Sequence, residues 1–177
     1  MRYTWFAALL LVAGCTARSP EAAHDEQVRL RRSLEKHHGR YVASIETENR
    51  LVTETLAWLN GNAISASRAQ AVAEARRLTD RWSRVYFVPR YMHEELRFDK
   101  YSSAQVRAVQ RQMLDRLKRH YFQLHDYQRY AQNAAASEMH HTPPGRLPRE
   151  LEEFRSGLES REPSVDEIRP LIEFLKK

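Results

Sequence analysis

Residues 104–138 read AQVRAVQRQMLDRLKRHYFQLHDYQRYAQNAAASE, and the spacing of their apolar members decides the fold. Val106, Val109, Met113, Leu117, His120, Leu124, Tyr127, Ala131 and Ala134 recur at steps of three and four, which puts them on one face of a helix. Asp99 to Ser103 forms the turn before it. Upstream of that turn a second stripe runs Ala71, Ala75, Leu78, Trp82, Val85, Pro89, Met92 and Leu96. Pro89 removes a hydrogen bond but sits in phase with the stripe, so one kinked helix to about Phe98 is expected rather than a break. Ser67 with Gln70 has capping-box spacing at its start. A third stripe, Leu30, Leu34, His38, Val42, Ile45, Asn49, Val52, Leu56 and Leu59, begins after Asp25 and ends at the stop signal Asn60-Gly61. Gly39 costs it about 1 kcal/mol relative to alanine and marks a bend or a close helix contact. Asn49 reads as a buried polar residue that fixes register.

Each segment would span about 50 Å at 1.5 Å per residue, and matched lengths joined by short turns imply antiparallel packing. Met139 to Pro148, with Pro143-Pro144-Gly145, stops the third helix. Two short amphipathic pieces follow: Leu151, Phe154 and Leu158 mark one, and Ser164 to Glu167 opens the other as a capping box before Ile168, Leu171, Ile172 and Leu175. The expected fold is all-α: an antiparallel bundle of three long helices, the second kinked near Pro89, with two short C-terminal helices packed on it. Composition agrees. In 177 residues there are only 5 glycines and 7 prolines, too few turn formers for a sandwich, and 29% of the chain is charged, which excludes a polytopic membrane protein. No strand-like alternation or internal repeat stands out.

The N-terminus carries an address. Met1-Arg2 precedes an apolar run, Tyr3 to Val12, that is well short of the roughly 20 residues a permanent membrane span needs. Leu11-Val12-Ala13-Gly14-Cys15 then resembles the lipobox of bacterial lipoproteins at every position. That resemblance implies a signal peptide over residues 1–14, cleavage before Cys15, and acyl chains on the thiol and amine of Cys15. Residues 15–24 become a lipidated tether to a single helical domain over residues 25–177. Thr16 in place of aspartate at the second mature position implies the outer membrane, facing the periplasm. Two or more acyl chains anchor a protein without spanning the bilayer. Cys15 is the sole cysteine, so no disulfide framework and no thiolate catalysis are expected, nor any cofactor besides covalent lipid.

The formal charge of +6, falling to +5 with the loss of Arg2, comes from 24 arginines against 5 lysines. Arg76, Arg77, Arg81 and Arg84, and Arg107, Arg111, Arg116, Lys118 and Arg119, lie off the apolar stripes. They form solvated faces that could meet lipid phosphates, wall carboxylates or an acidic partner protein. Nucleic acid is a poor partner for a chain exported from the cytoplasm.

Catalytic and metal motifs fail on spacing. His93-Glu94-Glu95-Leu96-Arg97 has arginine where a zinc-protease helix needs its second histidine. His37-His38 and His140-His141 are adjacent pairs whose side chains diverge by about 100° on a helix. His120 and His125 face differently; only a meeting of His38 and His120 near Asn49 would make a weak metal site. Ser33-Leu34-Glu35-Lys36 matches the penicillin-recognising tetrad by letters alone. No enzyme, no metal and no catalytic residue is expected.

The densest unusual region is Trp82 to Tyr101. Trp82, Met92 and Tyr86 serve the stripe, which leaves Phe87, Tyr91 and Phe98 either packed under the C-terminal helices, the first expectation, or facing solvent. Exposed, Phe87, Arg90, Tyr91, Arg97, Phe98 and Tyr101 would make a partner surface, since interfaces enrich aromatics and arginine. The function these features suggest is a non-catalytic binding or assembly accessory in the cell envelope, with an envelope protein as partner. The alternative is a stress-type periplasmic chaperone or metal-binding helical protein.

Overall fold

The computed structural model describes residues 20–136 and 146–177. Among them the chain forms six helices and no strand: α1 (Pro20–Asn60), α2 (Asn62–Ser65), α3 (Arg68–Phe98), α4 (Ala104–Ala136), α5 (Arg149–Glu159) and α6 (Arg169–Phe174). The expected signal peptide, Cys15, Thr16 and the stretch from Met139 to Gly145 lie outside the described residues. α1 is already helical at Pro20, the first described residue, rather than from Asp25, so part of the expected tether is helical.

α3 and α4 form as their stripes predict. Every stripe position of each is buried, and α3 runs unbroken through Pro89. The capping box at its start is made: the Ser67 N–H donates to Gln70 Oε1 at 2.9 Å and the Gln70 N–H to Ser67 Oγ at 3.4 Å. The two helices pack along their length in opposite order. Near the turn Gln110 donates to the Leu96 and Asp99 carbonyls at 2.7 and 2.8 Å. At the far end the Trp82 and Tyr127 rings lie 5.1 Å apart and Gln128 donates to Ser83 Oγ at 2.8 Å.

α1 departs from its stripe. Leu30, Leu34, Ile45 and Leu59 are buried as the spacing requires, but the rest of the buried face is His37, Tyr41, Ser44, Glu48, Leu51 and Thr55. His38, Val42, Asn49, Val52 and Leu56 are only half-buried. The true face is polar in its middle, so a reading that follows apolar letters slides by one position there. Gly39 makes no close helix contact: it is exposed inside the continuous α1, and a Cβ added to it would meet nothing within 4 Å.

The apolar core falls into two clusters. One joins Leu51 and Leu59 of α1 with Leu78 and Trp82 of α3, Leu124 and Ala131 of α4, and Leu151, Phe154 and Leu158 of α5. The other joins Leu30 and Leu34 with Met92 and Leu96, Met113 and Leu117, and Leu171 and Ile172 of α6. A Cβ on Gly157 would stand 3.3 Å from the Tyr130 ring, so its absence lets α5 settle onto α4. The segment from Ser160 to Ile168 connects the two covering helices as a strap. Here the expected capping box fails. α6 starts only at Arg169, Asp166 Oδ1 accepts from the Ile168 and Arg169 N–H groups at 3.2 and 3.1 Å, and the Ser164 hydroxyl turns inward instead.

Candidate functional site

Between the two apolar clusters, on both α1 and α4, lies a buried polar junction. Its centre is Glu48, which is 0% exposed. A buried carboxylate is costly unless it is paired and hydrogen-bonded. Glu48 is both. His120 Nε2 stands 2.7 Å from Glu48 Oε2, while the Arg161 guanidinium and the Ser164 hydroxyl donate to Oε1, the latter at 3.0 Å. Arg161 also donates to Ser164 Oγ at 2.6 Å, and its side chain is 2% exposed. Asn49 donates to the Ser164 carbonyl at 3.1 Å and accepts from the Ser164 N–H at 3.2 Å. Asn49 therefore holds the strap rather than the register of two long helices. On the other side of His120, the Tyr41 hydroxyl lies 3.0 Å from Nδ1, and burial pushes the Tyr41 phenol well above its usual range.

This geometry limits what the junction can do chemically. Nε2 faces the Glu48 carboxylate and Nδ1 faces the Tyr41 hydroxyl, so both ring nitrogens already have partners. A serine nucleophile needs a base nitrogen free to take its proton. Ser164 Oγ lies 3.5 Å from His120 Nε2 but gives its proton to Glu48, and both imidazole nitrogens are committed. The group fastens the strap across α1 and α4. Above it a cleft of about 420 Å³ opens between Arg116, Arg119, Gln123 and Glu162.

His38 and His120 do not meet. His38 Nε2 sits 2.7 Å from Asp166 Oδ2. Burial pushes the Asp166 carboxyl up, but His38 and the Arg169 N–H together hold it below the usual range. Among the described residues no group of three or more His, Cys, Asp or Glu is placed to hold a metal ion.

The seam between α1 and α3 is different. It is tied near one end, where His37 Nε2 lies 2.5 Å from Glu95 Oε2 and the Tyr91 hydroxyl donates to Glu95 Oε1 at 2.7 Å. Toward the other end Arg81 pairs with Glu54 at 2.5 Å. Burial holds His37 below its usual pKa, although Glu95 pulls the other way. Between these ties two hollows of about 350 and 360 Å³ share Arg40 and Val88 and make one trough. Ala43, Leu51 and Val85 line the first hollow, and Phe87 and Tyr91 wall the second.

The expected partner surface divides. Phe87, Tyr91 and Phe98 are 55%, 50% and 69% exposed, so they do not pack under the C-terminal helices. Those helices lie elsewhere: α5 packs on α4 and α1, and α6 on α1. Arg97 stacks on Phe98 at 4.8 Å, and Arg90 donates to the Tyr86 hydroxyl at 2.9 Å. Tyr101 leaves the surface altogether. It is 5% exposed, with Arg29 over its ring at 4.6 Å, and burial raises its phenol to about 12. Its neighbours explain this, because Glu26 of α1 accepts the Ser102 and Ser103 N–H groups at 2.8 and 2.7 Å and draws the α3–α4 turn onto α1.

No family model matches the chain, and neither a curated protein nor a solved structure is similar to it.

Proposed function

We propose that the protein is a lipid-anchored accessory of the bacterial cell envelope, held at the outer membrane facing the periplasm, that works by binding a protein partner without a catalytic step. In this reading Cys15 is the anchor, and the three long helices form an antiparallel bundle that presents α3 to the partner. The lipobox-like Leu11 to Cys15 supports the anchor. Among the described residues, no helix is long and apolar enough to cross a membrane. The single observation that carries the binding role is the exposure of Phe87, Tyr91 and Phe98 on a helix whose core positions are already filled by Trp82, Val85, Met92 and Leu96. Exposed aromatics beside arginines are the composition of interface anchors rather than of an ordinary solvated face.

In-cell crosslinking of the tagged full chain, with detergent extraction and mass spectrometry, tests this. The expected result is one dominant envelope complex, lost with Cys15→Ser and weakened by Tyr91→Ala or Phe98→Ala. Capture of many unrelated clients would replace this reading with the chaperone alternative. Unchanged capture by both aromatic variants would remove the α3 face from it.

A further inference from the structure

α1 is closed on one side and open on the other. Its seam with α4 is covered by α5, the strap and α6, whereas no described element lies over the trough between α1 and α3. We propose that this trough is the seat of an acidic amphipathic helix supplied by the protein partner, which covers the α1–α3 seam as α5 covers the α1–α4 seam. The inference rests on the binding role proposed above and names the chemistry of the partner.

Three features of the trough select that occupant. Its floor is apolar where α3 contributes Val85 and Val88 and α1 contributes Leu51, and α1 adds the small residues Ala43, Ser44 and Thr47, over which a second helix can approach closely. Both lips carry a guanidinium without an ion pair among the described residues, Arg40 on α1 and Arg84 on α3, whereas Arg81 is paired with Glu54 and the one acid in the lining, Glu94, with Arg97. The charges are spread along it. From Arg81 through Arg84 to Arg90 the guanidiniums of α3 that line it span about 13 Å at 1.5 Å per residue. A single lipid headgroup places its charge at one point, whereas a helix with carboxylates at three- and four-residue spacing answers guanidiniums along both lips while its apolar stripe fills the floor.

The test is fluorescence anisotropy of two labelled peptides against the full chain in zwitterionic nanodiscs. One has leucine at i, i+3, i+4 and i+7 with glutamate and alanine elsewhere; the other has lysine for every glutamate. The glutamate peptide is expected to bind and the lysine peptide not to. Arg40→Glu with Arg84→Glu is expected to weaken the glutamate peptide at least about tenfold, because like charges across an interface are strongly disfavoured. Both substituted positions are exposed and without an ion pair among the described residues, so the variant should stay folded, with a small drop in melting temperature because Arg40 acts electrostatically on Glu95, and Val88→Arg gives an independent block from the floor.

Equal binding of the two peptides, or unchanged affinity in both the arginine pair and Val88→Arg, would overturn the proposal. So would displacement of the glutamate peptide by phosphatidylglycerol vesicles, which would assign the trough to lipid, or its occlusion by a second copy of the chain on concentration. If the arginine and Val88 variants bind normally while Tyr91→Ala still releases the cellular complex, the helix proposal falls and the binding role stands.

Discussion

The two seams of α1 reverse the usual arrangement of polar and apolar surface. Against α4, α1 buries a carboxylate and a phenol, and two covering helices with their strap lie over them. Against α3 it leaves an apolar trough in the open, lipped by guanidiniums. The comparison teaches that burial here follows partnership rather than letter type. Glu48 can be inside because Arg161, Ser164 and His120 satisfy it. The α1–α4 seam is thus completed by the chain itself. In the α1–α3 trough the chain pairs Arg81 with Glu54 and Tyr91 with Glu95, but among the described residues it gives Arg40 and Arg84 no ion pair.

The largest effect should come from breaking the closed seam. Glu48→Ala strands the Arg161 guanidinium and should cost about 3–5 kcal/mol in urea unfolding, whereas replacing both partners by Leu and Met should cost much less. A loss under about 1 kcal/mol, the worth of an exposed pair, would mean the junction does not hold the strap. Next, Tyr41→Phe removes the hydroxyl facing His120 Nδ1 and should cost about 1–3 kcal/mol, the penalty of a buried group left without its partner.

A pH series sharpens the comparison further. Burial lowers the pKa of His37 and of His93 from the ordinary 6.5, so below that value the unfolded chain binds more protons at these sites than the folded one. Their contribution to stability is therefore full above 6.5 and is lost as pH falls toward and through the lowered folded values. His37→Gln should flatten that part of the acid limb, and an unchanged limb would show that His37 does not titrate against burial. The smallest effect belongs to the open seam: Phe87→Ser and Phe98→Ser should change stability by no more than about 0.5 kcal/mol, as surface positions do, while capture of the partner falls. A large loss of stability from either would mean that these rings are part of the core after all.

How far the sequence could be read follows from the same contrast. α3 and α4 were legible because their buried positions carry large apolar side chains such as Trp82, Met92, Met113 and Leu124 at helical spacing. The two C-terminal helices were legible for the same reason, through Phe154 and Leu171. α1 was legible as a helix but not in phase, since Tyr41, Ser44 and Glu48 carry no apolar signal while Val42 and Val52 beside them do. Glu48 itself could not be found, because it looks like Glu46 or Glu54 until Arg161, 113 residues later, is brought to it. Ser164 read as a helix cap because capping is a local pattern, and its actual partner is on α1. The exposed aromatics were flagged by what the stripe did not need, but which of them stay outside depends on Glu26 drawing in the turn beside Tyr101.

One seam of α1 is closed by the chain, and in the proposal above a partner helix closes the other. Site-specific photocrosslinking in cells tests it most directly, with a photoreactive phenylalanine analogue at Val88 in the trough or at Glu162 in the strap, and Cys15 intact. Position 88 is expected to yield crosslinks to one partner, mapped to an acidic segment with helical apolar spacing, and position 162 is not. Crosslinks from position 88 that fall on lipid, on a second copy of this chain, or on the same mixture as position 162 would contradict it.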